Sequence, residues 1–369
     1  MSLEYISITN FRNLANARLD LDPRFNFVLG LNGSGKTSLL DAFYFLSSAR
    51  SFTTNSRRSF IMEGKDECIV RGTINRENQP VRVGVSRSRA GASEIRINGE
   101  KILKSSELAS CLPTIVLSPE SINLLIGSPA KRRSYMNWGT FHVEPLFKEV
   151  WERANRCLKQ RNFALQYKGS RKDELASWTD GLVKNSLKIH EYRTEYIKKL
   201  KPIFTGIIDR ISGLRDVDLN YLRGWDEKLQ LNEIFDRNSE IDIEKGYTSV
   251  GFHRADLKLH IRGKPAAETC SRGELKALAW ALKLAQGRFL SEKKAPNKSK
   301  TILLVDDLGA EFDGWHRKNI QEYLYETGHQ IIITAVDQFA FSTFTEMISS
   351  KLFHVEQGKN QGLVGEVSD

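Results

Sequence analysis

The chain has 369 residues, 40% hydrophobic and 27% charged, which is ample for a sizeable core in roughly two to three domains. Fifty-five Lys and Arg against 45 Asp and Glu leave +10 at pH 7, a balance that favours a polyanionic partner. The opening MSLEYISITNF lacks the basic-then-apolar pattern of a secretory signal, and the longest apolar runs, near 302–305 and 331–336, are too short to span a bilayer. Cysteines 68, 111, 157 and 270 show no CxxC spacing, so no metal knuckle is expected and a reducing, cytoplasmic location is.

The first part of the chain predicts strands. Residues 3–9, 17–21, 26–29, 68–75, 81–87 and 94–98 alternate apolar and polar at period two, with turn formers between them, Asn98 and Gly99 among these. One helix, over 37–47, interrupts the series. It follows Gly30, Leu31, Asn32, Gly33, Ser34, Gly35, Lys36 and Thr37, which satisfy G-x-x-x-x-G-K-[ST] directly after an apolar strand. Glycines at this spacing let backbone N–H groups turn inward around phosphates, and the helix start adds its positive end. Lys36 then supplies a cation for the β- and γ-phosphates of ATP, and Thr37 a hydroxyl for Mg²⁺.

From 129 to 214 the pattern becomes helical. Phe147, Val150, Ala154, Leu158 and Leu165 recur at helical steps, as do Leu175, Trp178, Leu182, Ile189, Tyr192, Tyr196, Ile203 and Ile207 beyond a polar break at 168–173. This predicts a short antiparallel pair with a coiled-coil-like seam, on which Asn185 and Lys199 are the polar exceptions. Eleven Lys and Arg against three Asp and Glu fall between 128 and 172, interleaved with Tyr135, Trp138, Phe141 and His142. Lys131, Arg132, Arg133, Arg156 and Arg161 are the candidates for phosphate contacts to DNA without base readout, although charged helix exteriors are also common in proteins that bind nothing.

Strand character returns at 217–222 and 251–261. A helix is predicted from 273 to about 290, then a polar linker over 291–300, and apolar strands at 301–305 and 330–334 flank a further helix. Asp306 and Asp307 close the first of these strands. A phosphate loop needs a carboxylate at the end of a neighbouring parallel strand. Asp306 suits the Mg²⁺ role, and Asp307 is placed to orient or deprotonate the attacking water. Before them, Ser271, Arg272, Gly273 and Glu274 open a helix and resemble the ABC signature loop. There Ser271 and Gly273 would close on the γ-phosphate held by a second copy; an ordinary N-cap is the plainer alternative.

Residues 8–13 (ITNFRN), 127–133 (GSPAKRR), 158–162 (LKQRN), 251–257 (GFHRADL) and 306–313 (DDLGAEFD) are together similar, in order and spacing, to the RecF family of ABC/SMC-type ATPase heads. The resemblance implies an α/β P-loop head built from both chain ends, over 1–118 and 246–369, with a short helical arm inserted over 119–245. It implies that Arg12 or its neighbours approach the nucleotide and that ATP closes a homodimer around DNA, whether single-stranded, duplex or gapped. It further implies a weak DNA-dependent ATPase serving replication, recombinational gap repair and SOS induction, with RecO- and RecR-type mediators and the RecA recombinase as partners and no membrane. Arg272, Phe252 and Asn137 depart from the family pattern, and Asp307 stands where other ABC ATPases carry glutamate. Neither a Q-loop glutamine near Ser118–Glu120 nor a switch histidine near Thr334 is present. The alternatives are an ATPase subunit of a membrane transporter, against which those two absences count, and an SMC-like nuclease or non-hydrolysing scaffold.

Overall fold

In the computed structural model the described residues are 1–54, 56–167, 172–292, 300–337, 350–358 and 361–366. Most of the polar break at 168–173 and of the linker at 291–300 therefore lies outside them. The chain divides into two compact units: residues 1–121, 210–212 and 280–369 form one, and 122–209 with 213–279 form the other.

The strands, in chain order, are β1 (Ser2–Phe11), β2 (Leu14–Asp20), β3 (Phe25–Leu29), β4 (Glu67–Arg76), β5 (Gln79–Ser88), β6 (Ser93–Ile97), β7 (Glu100–Ile102) and β8 (Thr114–Leu117). They continue with β9 (Val217–Leu222), β10 (Asp256–Ile261), β11 (Lys264–Pro265), β12 (Ile302–Val305), β13 (Gln330–Ala335), β14 (Ser350–Gly358) and β15 (Gln361–Glu366). The first unit holds a 12-stranded sheet in the order β7-β6-β5-β4-β1-β2-β15-β14-β3-β13-β12-β8. Its β7-to-β2 portion is an antiparallel meander, as the period-two pattern predicts. The Asn98–Gly99 turn between β6 and β7 has φ of 52° and 89°, the positive pair that a two-residue hairpin requires. At the other end β14, β3, β13, β12 and β8 run parallel. Of these, β3, β8, β12 and β13 are buried along their whole length, which is why they read as continuous apolar runs.

The helix Lys36–Ser48 packs one side of this unit through Leu39, Leu40, Phe43, Phe45 and Leu46, in one core with Leu3, Ile6, Val28 and Ile332. Four strands, β7, β8, β14 and β15, and the short helix Ser105–Cys111 were not expected from the pattern. β8 has only four residues, all buried, and so no alternation to betray it.

The second unit holds the helical arm. Phe147–Gln166 and the 41-residue Lys172–Ser212 lie antiparallel, with Phe147 against Tyr192, Cys157 at Gly181 and Arg161 at Thr179. A Cβ on Gly181 would sit 2.9 Å from Cys157 Sγ, so the helices approach as closely as glycine allows. The expected seam residues Phe147, Val150, Ala154, Leu182 and Ile189 form its core with Trp225, Leu231, Phe235 and Phe252. Of the polar exceptions, Asn185 bonds back to Gly181 O, and Lys199 is exposed and paired with Glu195. One boundary differs from expectation: residues 246–279 belong to this unit, because β10 pairs with β9 and β11 in a separate three-stranded sheet.

Candidate nucleotide site

The phosphate loop connects β3 to the helix Lys36–Ser48. Gly35, at its N-cap, has φ 119° and no side-chain cap, so the first N–H groups of the helix are left for an external acceptor. Two glycines are compelled by space. A Cβ on Gly35 would lie 2.7 Å from Asn13 Nδ2, and one on Gly30 would lie 2.5 Å from Val355 O. Asn13 also donates to Ser34 O at 3.3 Å, fastening the β1–β2 turn to the loop. Leu31, Asn32 and Gly33 form an exposed rim, whereas Ser34 is buried with its hydroxyl unpartnered among the described residues. Lys36 turns back along the loop and donates to Gly30 O at 2.6 Å and Leu31 O at 3.0 Å. Burial lowers its pKa, and the charges of Asp307 and Asp306 oppose that shift.

Thr37 Oγ1 lies 3.3 and 3.2 Å from the two carboxylate oxygens of Asp306, across 269 residues of sequence. The strand carrying Asp306 is not the immediate neighbour of β3, however: β13 lies between them. That arrangement gives a role to a residue the sequence reading passed over. Thr334, on β13, donates to Asp306 Oδ1 at 2.9 Å and accepts the Asp307 N–H at 3.0 Å. A lone threonine near the end of the buried strand QIIITA was the available signal. Burial raises the Asp306 pKa; hydrogen bonds from Thr334 and Thr37 lower it, and the charges of Asp307 and Glu120 raise it. Glu120 follows β8, whose Leu117 O accepts the Asp306 N–H at 2.8 Å. Asp307 has φ 53° and ψ 55°, a left-handed conformation that a non-glycine residue holds only under constraint.

Arg12 is placed differently from the resemblance. Its guanidinium meets Asp41 at 2.6 Å and Ser51 Oγ at 3.0 Å, and it also reaches Thr53. Asp41 is fully buried and accepts the Phe52 N–H at 2.9 Å, so Arg12 here serves a buried carboxylate.

Ser271 and Gly273 belong to the second unit. Ser271 Oγ accepts the Glu274 N–H at 3.3 Å, and Glu274 returns to the Ser271 N–H at 2.7 Å: a reciprocal capping box. Ser271, Arg272 and Gly273 are exposed, and a Cβ on Gly273 would meet nothing within 4 Å.

The basic candidates divide. Arg132 is buried and bidentate on Asp256 at 2.6 and 3.1 Å; Arg161 is 1% exposed and bonds Asp242, Thr248 and Thr179. Both guanidinium groups are turned into the arm as structural pairs, which corrects the expectation that they face DNA. Lys131 and Arg156 are exposed, and Arg133 is half-buried.

The family model described as the RecF/RecN/SMC N-terminal domain matches residues 2–361. Proteins named DNA replication and repair protein RecF from Shewanella baltica and Shewanella oneidensis are 38% and 36% identical to this chain, over 97% of it and 99% of their own length. The chain belongs to the RecF family. It is thereby a DNA replication and repair protein with the SMC/RecF-type ATPase head fold. A solved structure of the recombination mediator protein RecF with ATP, in the RecFOR pathway, superposes with a TM-score of 0.86 at 25% identity, covering 100% of this chain and 98% of that one. An SMC head bound to the winged-helix domain of ScpA shares the fold, with a TM-score of 0.61 at 16% identity. RecF relatives do not favour the transporter alternative, and no helix among the described residues is long and apolar enough to cross a membrane.

Proposed function

We propose that this chain is an ATP-binding, Mg²⁺-dependent ATPase of slow turnover that pairs with a second copy of itself on ATP, holds DNA, and acts in recombinational gap repair. The observation that carries the proposal is the meeting of Lys36 and Thr37 with Asp306, Asp307 and Thr334 in a RecF-family chain. The cradle fits a triphosphate: two glycines leave no room for side chains, the helix start is uncapped, and the Ser34 hydroxyl is unspent. Lys36 would hold the phosphates, and Thr37 with Asp306 would hold Mg²⁺. Bound Mg²⁺ would neutralise charge on the phosphate oxygens. Asp307, fixed through its N–H on Thr334, would orient or accept a proton from water.

Gly273 supports the pairing. Glycine in a helix is about 1 kcal/mol worse than alanine, and nothing within this chain requires it, so a close approach by another molecule is the remaining reason. The RecFOR pathway named for the ATP-bound relative makes RecO- and RecR-type mediators, and through them RecA, the partners to test.

The deciding experiment measures molecular mass and DNA binding with ATP, with ADP and without nucleotide. A dimer and tighter DNA binding are expected with ATP alone, and both should vanish in Lys36→Ala together with tight ATP binding. Wild-type nucleotide affinity in that variant would overturn the site.

A further inference from the structure

The exposed face of the Phe147–Gln166 helix carries aromatic rings that the arm does not use. Asn162 and Gln166, one turn apart, hold the turn at 246–248: Asn162 Oδ1 accepts from Thr248 N and Oγ1 at 2.9 and 2.7 Å, and Gln166 donates to Gly246 O at 3.1 Å. Phe163 and Tyr167 are each the next residue along, carried about 100° around the helix and away from that contact. They are 66% and 63% exposed, and their rings lie 6.2 Å apart with planes only 6° from parallel. The arm's own packing is served from the opposite side, by Ala154, Cys157, Ala164 and Leu165.

The turn they adjoin leads to unneutralised cations. Tyr247, 42% exposed, lies under the Arg254 guanidinium, with 5.5 Å from Cζ to the ring centroid. Arg254 is exposed, and the carbonyl of the next residue, Ala255, accepts from Arg133 Nη1 at 3.0 Å. Burial lowers the Arg133 pKa, Asp256 opposes this, and the nearby Arg254 charge adds to it. Asp256 is already engaged by Arg132 and Lys258, and neither Arg133 nor Arg254 has a carboxylate ion pair among the described residues. Two guanidinium groups held close without a counter-charge leave a place for a phosphate.

We infer that Phe163, Tyr167 and Tyr247, with Arg254 and Arg133, form a binding strip for single-stranded DNA, stacking its unpaired bases on the rings and setting its phosphates on the guanidinium groups. This rests on the DNA-binding proposal above and names the strand that the arm takes. A duplex spends its base faces on its own stack and gains nothing from exposed rings; a single strand offers a face at every base. An apolar partner protein would use the rings and leave the arginine pair idle.

The test is anisotropy with three probes, on the full chain with ATP: an oligo(dT) strand, an abasic strand of equal charge, and a blunt duplex. The Phe163→Ala/Tyr167→Ala variant should lose roughly 5- to 100-fold in oligo(dT) affinity, the range for lost base stacking, while abasic-strand and duplex binding hold. Arg254→Gln should weaken binding of both single strands and reduce the single-strand salt slope by about 0.7, one phosphate contact. Phe163→Tyr/Tyr167→Phe keeps both ring faces and should restore oligo(dT) binding. If wild type binds DNA but the double alanine variant holds oligo(dT) unchanged, the strip is refuted and the rings belong to a protein partner. If wild type binds none of the probes, the DNA-binding proposal itself fails.

Discussion

Two adjacent aspartates with different surroundings carry the sharpest residue-level expectations. Asp306→Asn removes the carboxylate bonded by Thr37 and Thr334, and should impair Mg²⁺–ATP binding itself. Asp307→Asn should bind ATP and dimerise with hydrolysis about 10²-fold slower, as loss of a general base typically gives. Because turnover would open the dimer, that variant should also leave DNA more slowly; faster release would remove Asp307 from the catalytic role. The pH dependence follows from the raised Asp306 pKa. Metal binding needs the carboxylate, so Mg²⁺–ATP affinity should begin to fall, as pH drops, above the usual 3.8. Thr334→Val deletes a bond to the charged form and should move that midpoint higher still in a nucleotide titration across pH. His329 offers a separate check. It is 1% exposed, and burial lowers its pKa from 6.5 to about 4. Between those values the unfolded chain binds a proton that the native one does not, so stability is lost as pH falls, by about 1.4 kcal/mol per unit. Urea unfolding of His329→Gln at pH 7 and pH 5 should show a shallower loss than wild type.

At the scale of elements, the start of the helix Arg272–Glu292 separates a cap from a contact. Ser271→Ala should cost about 1 kcal/mol of stability through the capping box alone. Gly273→Ala makes the opposite demand. A Cβ there meets nothing, and replacing glycine in a compatible helical position stabilises by about 0.4–1 kcal/mol. The variant should therefore melt higher as a monomer yet dimerise poorly with ATP in sedimentation. Undiminished dimerisation would leave the signature resemblance without a function.

Across the whole molecule, the +10 charge does not mark DNA contacts by itself, because burial sorts the arginines into two kinds. Arg161→Ala strands Asp242, which is fully buried, and should destabilise the protein by about 3–5 kcal/mol in denaturant unfolding. Arg156→Glu changes an exposed residue and should leave stability within about 0.5 kcal/mol. Its effect should appear instead as weaker DNA binding and a flatter salt dependence. The reverse pattern, a stable Arg161 variant or an unfolded Arg156 variant, would contradict the burial assignment.

The sequence by itself determined the features whose physics is local. The phosphate loop and its helix depend on eight consecutive residues with a strand before them; the arm seam depends on helical periodicity; the Ser271–Glu274 box spans four residues. Family membership was legible for the same reason, since five short segments kept their order. Only tertiary structure decided the rest. It put β13 between β3 and β12, so that Thr334 became the bridge to both aspartates, and it joined β10 to β9, moving residues 246–279 into the arm's unit. It also paired Arg161 with a carboxylate 81 residues away and tied Arg12 to Asp41, while leaving Arg156, Phe163 and Tyr167 in solvent. A charge count weighs every arginine equally. Whether a guanidinium faces water or a buried carboxylate is set by contacts between distant segments, and no local pattern records them.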